Sequence, residues 1–218
     1  MDEPKHSRPL LESLLAGEKD TLSREEMLYL MQEAAPRLRP NPGPDQPPNP
    51  YKLPWLVVGS ASCVYDDLRF KPYTGPTIAV NRAMLDLDIP VDIGCTLHHE
   101  ITRELMLGYN GRLFCSRGTD YVTDVLPVKD EWRNGTSGLY AVQIALHFGA
   151  PGVILCGMPI DDSPHFHRET GLARGIPELV AMHRQPWIEY ADFLRKAGVR
   201  SMSGWTRELL GSPLDYNA

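Results

Sequence analysis

The sequence predicts an α/β fold: a Rossmann-like, doubly wound and mostly parallel sheet preceded by a helical N-terminal arm. Three observations predict it. After residue 54, short β-branched runs alternate with stretches of helical period, which is how parallel strands buried on both faces read. The strand-like runs end in small or polar residues such as Gly59, Asn81 and Gly157. The best helical pattern, 137–148, leads through Gly149 into the strongest strand pattern, GVILCG at 152–157. Strand and helix alternating in this way give a sheet with helices on both faces.

Three parts follow in chain order. Residues 1–39 form the arm, with two helical patterns; in the second, Ser23 and Glu26 have capping-box spacing, and Leu28, Met31, Ala35 and Leu38 share a stripe that must pack on something. That partner is either the main domain or a second copy of the chain. Residues 40–54 contain seven prolines, which forbid helix and ladder and favour an extended strut. Residues 55–218 are the sheet domain. Its strands are expected at WLVVG (55–59), TIAVN (77–81), VDIGCTL (91–97), RLFCS (112–116), YVTDVLP (121–127), GVILCG and a last short one near VRSMS. RAMLDLD and ITRELML read as helices, SGLYAVQIALHF as a helix with apolar Leu139, Val142, Ala145 and Leu146, capped by Gly149. PELVAMHRQPWIEYADFLRKAG reads as a long helix broken at Pro186, with Trp187, Tyr190 and Phe193 at core spacing, and TRELL as a terminal turn.

Composition narrows the function. Of the 218 residues, 22 Lys and Arg face 28 Asp and Glu, a net charge of −6, which argues against a basic nucleic-acid groove. The N-terminus is too polar for a secretory signal, and no apolar run approaches the roughly 18 residues of a membrane span, so a cytoplasmic protein is expected. Cys63, Cys95, Cys115 and Cys156 are widely spaced, and three lie in apolar runs, so they read as buried free thiols.

In an open parallel sheet, ligands bind outside the carboxyl ends of the strands, where helix N-termini and backbone amides converge. The residues at that rim are Gly59-Ser60-Ala61-Ser62, Asn81, His98 and His99, Gly135-Thr136-Ser137-Gly138, and Gly157 to Asp162. Small and polar residues at each position suit a nucleotide. Neither GxGxxG nor GxxxxGK[ST] is present, against a dinucleotide dehydrogenase and a P-loop kinase, and the absence of GxSxG counts against a hydrolase. Asp161, Asp162, His165 and His167 match no metal-site spacing, and no metal is expected; the stretch 161–175 reads as a lid over the pocket.

The ordered set VVGSAS, IAVNRA and GTSGLYAVQIALHFGAPGVILCGMPID resembles a Rossmann-like group. It contains the small bacterial lipooligosaccharide sialyltransferases and the related domain of archaeal 6-hydroxymethylpterin diphosphokinases and motility-accessory glycosyltransferase-like proteins. The resemblance covers about residues 53–210, and 135–162 is its specific part. It implies that Gly59, Ser60, Asn81 and His98 hold a nucleotide, that Ser137 and Gly138 hold its base or ribose, and that Gly157 lets the ligand approach. It implies catalytic roles for Asp161, where the group has its acidic residue, and for His183 as general base. Ser60-Ala61-Ser62 replaces the group's Asn-Gly-Pro, and its pair of phosphate-steadying tyrosines has no clear counterpart. His165, His167, Arg168 and Arg174 are the residues that could donate to a phosphate instead.

The leading expectation is a nucleotide-binding transferase, sialyltransferase-like, that moves a group from a nucleotide-activated donor to an acceptor hydroxyl without a resident cofactor. Its partners are then the nucleotide or nucleotide-sugar and, through the arm, a second copy of the chain. Two alternatives stay open: a pterin-type diphosphokinase, which would need Mg2+, and a non-catalytic binding or scaffold domain.

Overall fold

The structure is a computed structural model that describes residues 53–72, 74–128, 136–161 and 177–214. The expected arm, nearly all of the Pro-rich strut, and His165, His167, Arg168 and Arg174 lie outside the described residues.

The apolar runs form seven strands: β1 (Trp55–Val58), β2 (Thr77–Val80), β3 (Ile93–Thr96), β4 (Arg112–Cys115), β5 (Asp124–Val125), β6 (Val153–Cys156) and β7 (Val199–Ser201). They make one sheet in the order β5-β4-β3-β2-β1-β6-β7, and every pairing is parallel. Registers such as Val57 opposite Ile78 and Val58 opposite Cys156 leave β1, β2, β3 and β6 buried along their whole length. Such strands need apolar side chains on both faces, hence runs without alternation.

Among the described residues, seven α-helices cover the sheet: α1 (Val64–Phe70), α2 (Ala83–Asp86), α3 (Thr102–Gly108), α4 (Ser137–His147), α5 (Pro177–Glu189), α6 (Ala191–Lys196) and α7 (Gly204–Leu210). Successive strand residues feed two separate cores. Trp55, Val57, Ile78, Val80, Cys95 and Leu155 pack with Leu139, Val142 and Ile144 of α4, Trp187 of α5, Leu194 of α6 and Leu210 of α7. Leu56, Val58, Ala79, Leu113, Ile154 and Cys156 pack with Val64 of α1, Met84 of α2 and Leu105 of α3. Each fully buried large side chain contributes about 1.5–3 kcal/mol, so two such layers hold the sheet from both sides.

Helix α4 is buried all the way round from Ser137 to Ala145, so its apolar stripe is wider than the sequence period suggests. It ends as expected at Gly149, whose φ is +73°. There Ala150 N donates to Ala145 O and Gly149 N to Leu146 O, the paired bonds of a Schellman motif.

Several boundaries differ from expectation. Helix α5 runs through Pro186 and ends at Glu189, and the break falls at Tyr190, which caps α6 at φ −101° and ψ 4°. Proline removes one N–H, but Pro186 and Trp187 are buried and hold the turn in place, and Tyr190 N still reaches Pro186 O at 3.2 Å. The break also divides the expected aromatic stripe: Trp187 is buried, Tyr190 half-buried and Phe193 51% exposed. TRELL lies in the two-turn helix α7, and the strand expected over 121–127 shortens to two residues. Helix α1 carried no periodic signal; it turns Val64 and Asp67 inward and leaves Tyr65, Asp66 and Phe70 outside.

Cys95, Cys115 and Cys156 are buried free thiols on β3, β4 and β6, and Cys63 is a half-buried free thiol. Burial raises the pKa of Cys95 and of Cys156 above that of an ordinary thiol. No helix among the described residues is long and apolar enough to cross a membrane.

Candidate functional site

The chain builds outward from β1 to β5 on one side, then returns to place β6 and β7 on the other, so the connections after β1 and β6 leave on opposite faces. That divergence opens a crevice at the carboxyl edge of an open sheet. A cleft of about 810 Å³ lies there, within the size range of small-molecule sites. Gly59, Ser60, Asn81, His98, Ser137, Gly138, Gly157 and Asp161, from five strand or helix ends, all line it, together with His183 from the middle of α5.

The glycines at the β1 and β6 ends are dictated by the protein's own packing. Gly59 N donates to Cys156 O at 2.9 Å and Ala61 N to Gly157 O at 3.1 Å, drawing the two loops together. A Cβ on Gly59 would run into Met158 and the Gly157 carbonyl. Gly157 has φ +64°, and a Cβ there would come within 2.7 Å of Val64 Cβ. Its N–H donates at 2.7 Å to Asp67 Oδ2, which also accepts from Ser203 Oγ at 2.7 Å. Burial pushes the Asp67 carboxyl above its ordinary value, against the opposing pull of these two bonds.

Asn81 sits in the left-handed region at φ +53°, a conformation that asparagine tolerates better than most residues. Thr96, fully buried at the end of β3, donates its hydroxyl to Asn81 Oδ1 at 2.8 Å and accepts the His98 N–H at 2.9 Å. With Oδ1 taken up by the Thr96 hydroxyl, the Asn81 –NH2 faces the cleft as a donor. His98 is more than half exposed, and its Nδ1 lies 3.1 Å from Glu100 Oε1.

Thr136 caps α4, accepting the Leu139 N–H at 3.3 Å and the Trp187 indole N–H at 3.3 Å. The N–H groups of Ser137 and Gly138 in the first turn precede any intrahelical acceptor. Ser137 Oγ accepts from Leu97 N at 3.2 Å and keeps its own proton to donate. Gly138 packs so closely on Met158 that a Cβ would lie 2.6 Å from its sulfur.

The far wall is α5, with Val180, Met182, His183, Gln185, Pro186 and Glu189. His183 is half-buried; burial first, and then the positive charge of His98, hold its pKa below that of an ordinary histidine. It is therefore a neutral imidazole near pH 7, able to accept a proton.

Sequence reasoning placed Thr136 and Met158 at the rim without giving either a role, and it missed Val180, Met182, Gln185 and Glu189 of α5 as lining residues. Thr136 carried a local signal that went unread, a hydroxyl residue directly before a helical pattern. Among the described residues, no three His, Cys, Asp or Glu side chains gather as a metal site would need.

No protein-family model matches the chain, and no curated protein matches it in sequence. Among solved structures, it is similar to the sialyltransferase CstII from Campylobacter jejuni, solved in complex with the substrate analogue CMP-3FNeuAc. The TM-score is 0.52 and the identity 14%, over 73% of this chain and 86% of that one. The likeness is one of fold: the chain has a Rossmann-like α/β fold of the kind found in a sialyltransferase.

Proposed function

We propose that the protein is a nucleotide-dependent transferase of sialyltransferase-like type, moving a group from a nucleotide-activated donor to an acceptor hydroxyl. The observation that carries this reading is the convergence of eight rim residues and His183 of α5 on one cleft of about 810 Å³ at the strand switch point. A fold shared with a protein solved with a CMP-sugar analogue adds support.

In this reading the Asn81 amide, the Ser137 hydroxyl and the N–H groups of Ser137 and Gly138 hold the nucleotide. The α4 N-terminus favours its phosphate. Gly59, Ser60 and Gly157 form the floor, and His98 donates from the β3 end. His183 takes the proton of the acceptor hydroxyl as its oxygen bonds to the transferred carbon. The carbon–oxygen bond to the phosphate breaks at the same centre, and the electron pair leaves with the phosphate. His165, His167, Arg168 and Arg174 are proposed donors to that departing charge. Asp161 offsets the positive charge that His183 acquires.

Titration calorimetry with CMP, UDP, GDP and ATP tests the pocket, and release of free nucleotide from CMP- and UDP-activated sugars tests the chemistry. Binding of at least one nucleotide with turnover of its activated form is expected. No heat at millimolar ligand would overturn the reading, and heat without turnover would reduce the protein to a binding domain.

A further inference from the structure

Resting on that reading of the cleft, we infer that Arg184 is a positioning residue that fixes Asp161 and His183 in one geometry by clamping the turn after β6. The turn from Gly157 to Asp161 is held at successive backbone groups by distant parts of the chain. Gly157 N is held by Asp67 and Gly157 O by Ala61 N. Met158 O accepts from the buried Thr206 hydroxyl at 2.7 Å, and Pro159 O from Thr206 N at 3.3 Å. Ile160 O accepts from Arg184 Nε at 2.8 Å.

That last bond falls where the backbone is strained. Ile160 has φ +48°, in the left-handed region that a β-branched residue strongly disfavours. Relaxation of Ile160 to negative φ would swing the following residue, Asp161, away from its place in the cleft. Such strain persists only where the surroundings over-determine it. Gly204 adds to that constraint, since a Cβ there would collide with Pro159 and meet Asp161 Oδ2 at 2.9 Å.

Arg184 has the chemistry for the task. Its guanidinium lies 4.7 Å from the centre of the Trp205 ring on α7 while its Nε donates to Ile160 O. A planar cation can stack and donate at once, whereas a lysine ammonium cannot do both in this geometry. Arg184 also directly follows His183 on α5. One side chain therefore links the wall that carries the proposed base to the loop that carries Asp161, and anchors both to α7.

The test compares wild type, Arg184→Lys and the double variant Arg184→Lys/Ile160→Gly. Arg184→Lys is expected to lower kcat by about ten- to a hundredfold, the scale of a displaced catalytic group, with nucleotide Kd changed less than about threefold. Ile160→Gly, which adopts positive φ without help, is expected to restore most of kcat in the Arg184→Lys background. A purely structural loss would lower thermal stability and would not be rescued by removing a side chain. Amide hydrogen exchange across 157–161 gives a readout that needs no activity: Arg184→Lys should speed it at least about tenfold relative to β1 and β6, and the double variant should not reverse this. Wild-type kcat in Arg184→Lys, or failure of the rescue, overturns the inference. If the wild type neither binds nor turns over any nucleotide, the transferase reading fails, and unchanged exchange in Arg184→Lys then overturns the clamp itself.

Discussion

The Thr96 hydroxyl donates to Asn81 Oδ1 across 2.8 Å, so the end of β3 orients the side chain that closes β2. A nucleotide gripped by Asn81 and Ser137 should lose about 1 kcal/mol or more of binding in Asn81→Ala and in Ser137→Ala. Thr96→Val keeps the shape but frees the Asn81 amide to rotate, and it should weaken binding to a similar degree. Calorimetry with the best-bound nucleotide measures all three, and wild-type affinity in Asn81→Ala and Ser137→Ala would remove the pocket assignment.

His183 should act as base only when neutral. Its pKa is depressed by burial and by nearby His98, so the acid limb of kcat/KM should fall below the ordinary histidine value of about 6.5. His98→Gln removes a charge that opposes protonation, so the limb should move up in pH, while burial still keeps it low. His183→Ala should cost at least about tenfold in turnover and little in nucleotide affinity. A pH profile identical in His98→Gln and wild type would contradict the assignment.

Asp67 offers a stability test with a defined sign. Because burial raises its folded pKa, the folded chain holds that proton to higher pH than the unfolded chain. This group's contribution to stability therefore declines as pH rises from the unfolded carboxylate value through the raised folded one. Asp67→Asn keeps an acceptor for Gly157 N and Ser203 Oγ, so it should stay within about 1 kcal/mol of wild type and lose that decline. Asp67→Ala leaves the Gly157 N–H unpartnered and should cost about 1–3 kcal/mol in urea unfolding.

Two glycines in the same backbone region should respond differently to alanine. At Gly149, φ is +73° with nothing within 4 Å of an added Cβ, so Gly149→Ala should cost only the conformational term of about 1–2 kcal/mol. Gly157→Ala adds a collision with Val64 and the Gly59 carbonyl, and its denaturation midpoint should fall clearly further. Equal losses would show that the junction of β1 and β6 yields more readily than its contacts imply.

Most of the sheet was legible because strands buried on both faces cannot hide their composition: WLVV, TIAV and VILC read as what they are. The Gly149 stop of α4 was legible from a local rule as well, whereas its Thr136 cap went unread. Helix α1 was not, since VYDDLRF turns a charged residue, Asp67, into the interior to meet a partner ninety positions along. The same holds for Thr206 on Met158 and Arg184 on Ile160, contacts between segments with no shared local pattern. Pro186 misled in the opposite direction, because a local rule for helix breaking gave way to the burial of Trp187. The rim residues could be named from strand ends, but that α5 supplies the opposite wall follows only from how the chain folds back.

The three buried thiols lie on three different strands, and this gives the molecule built-in probes of its own breathing. An alkylating reagent can reach Cys95, Cys115 or Cys156 only when β3, β4 or β6 is exposed, whereas Cys63 lies partly open. Modification rates followed by peptide mass would then rank the strands by opening free energy without a single substitution.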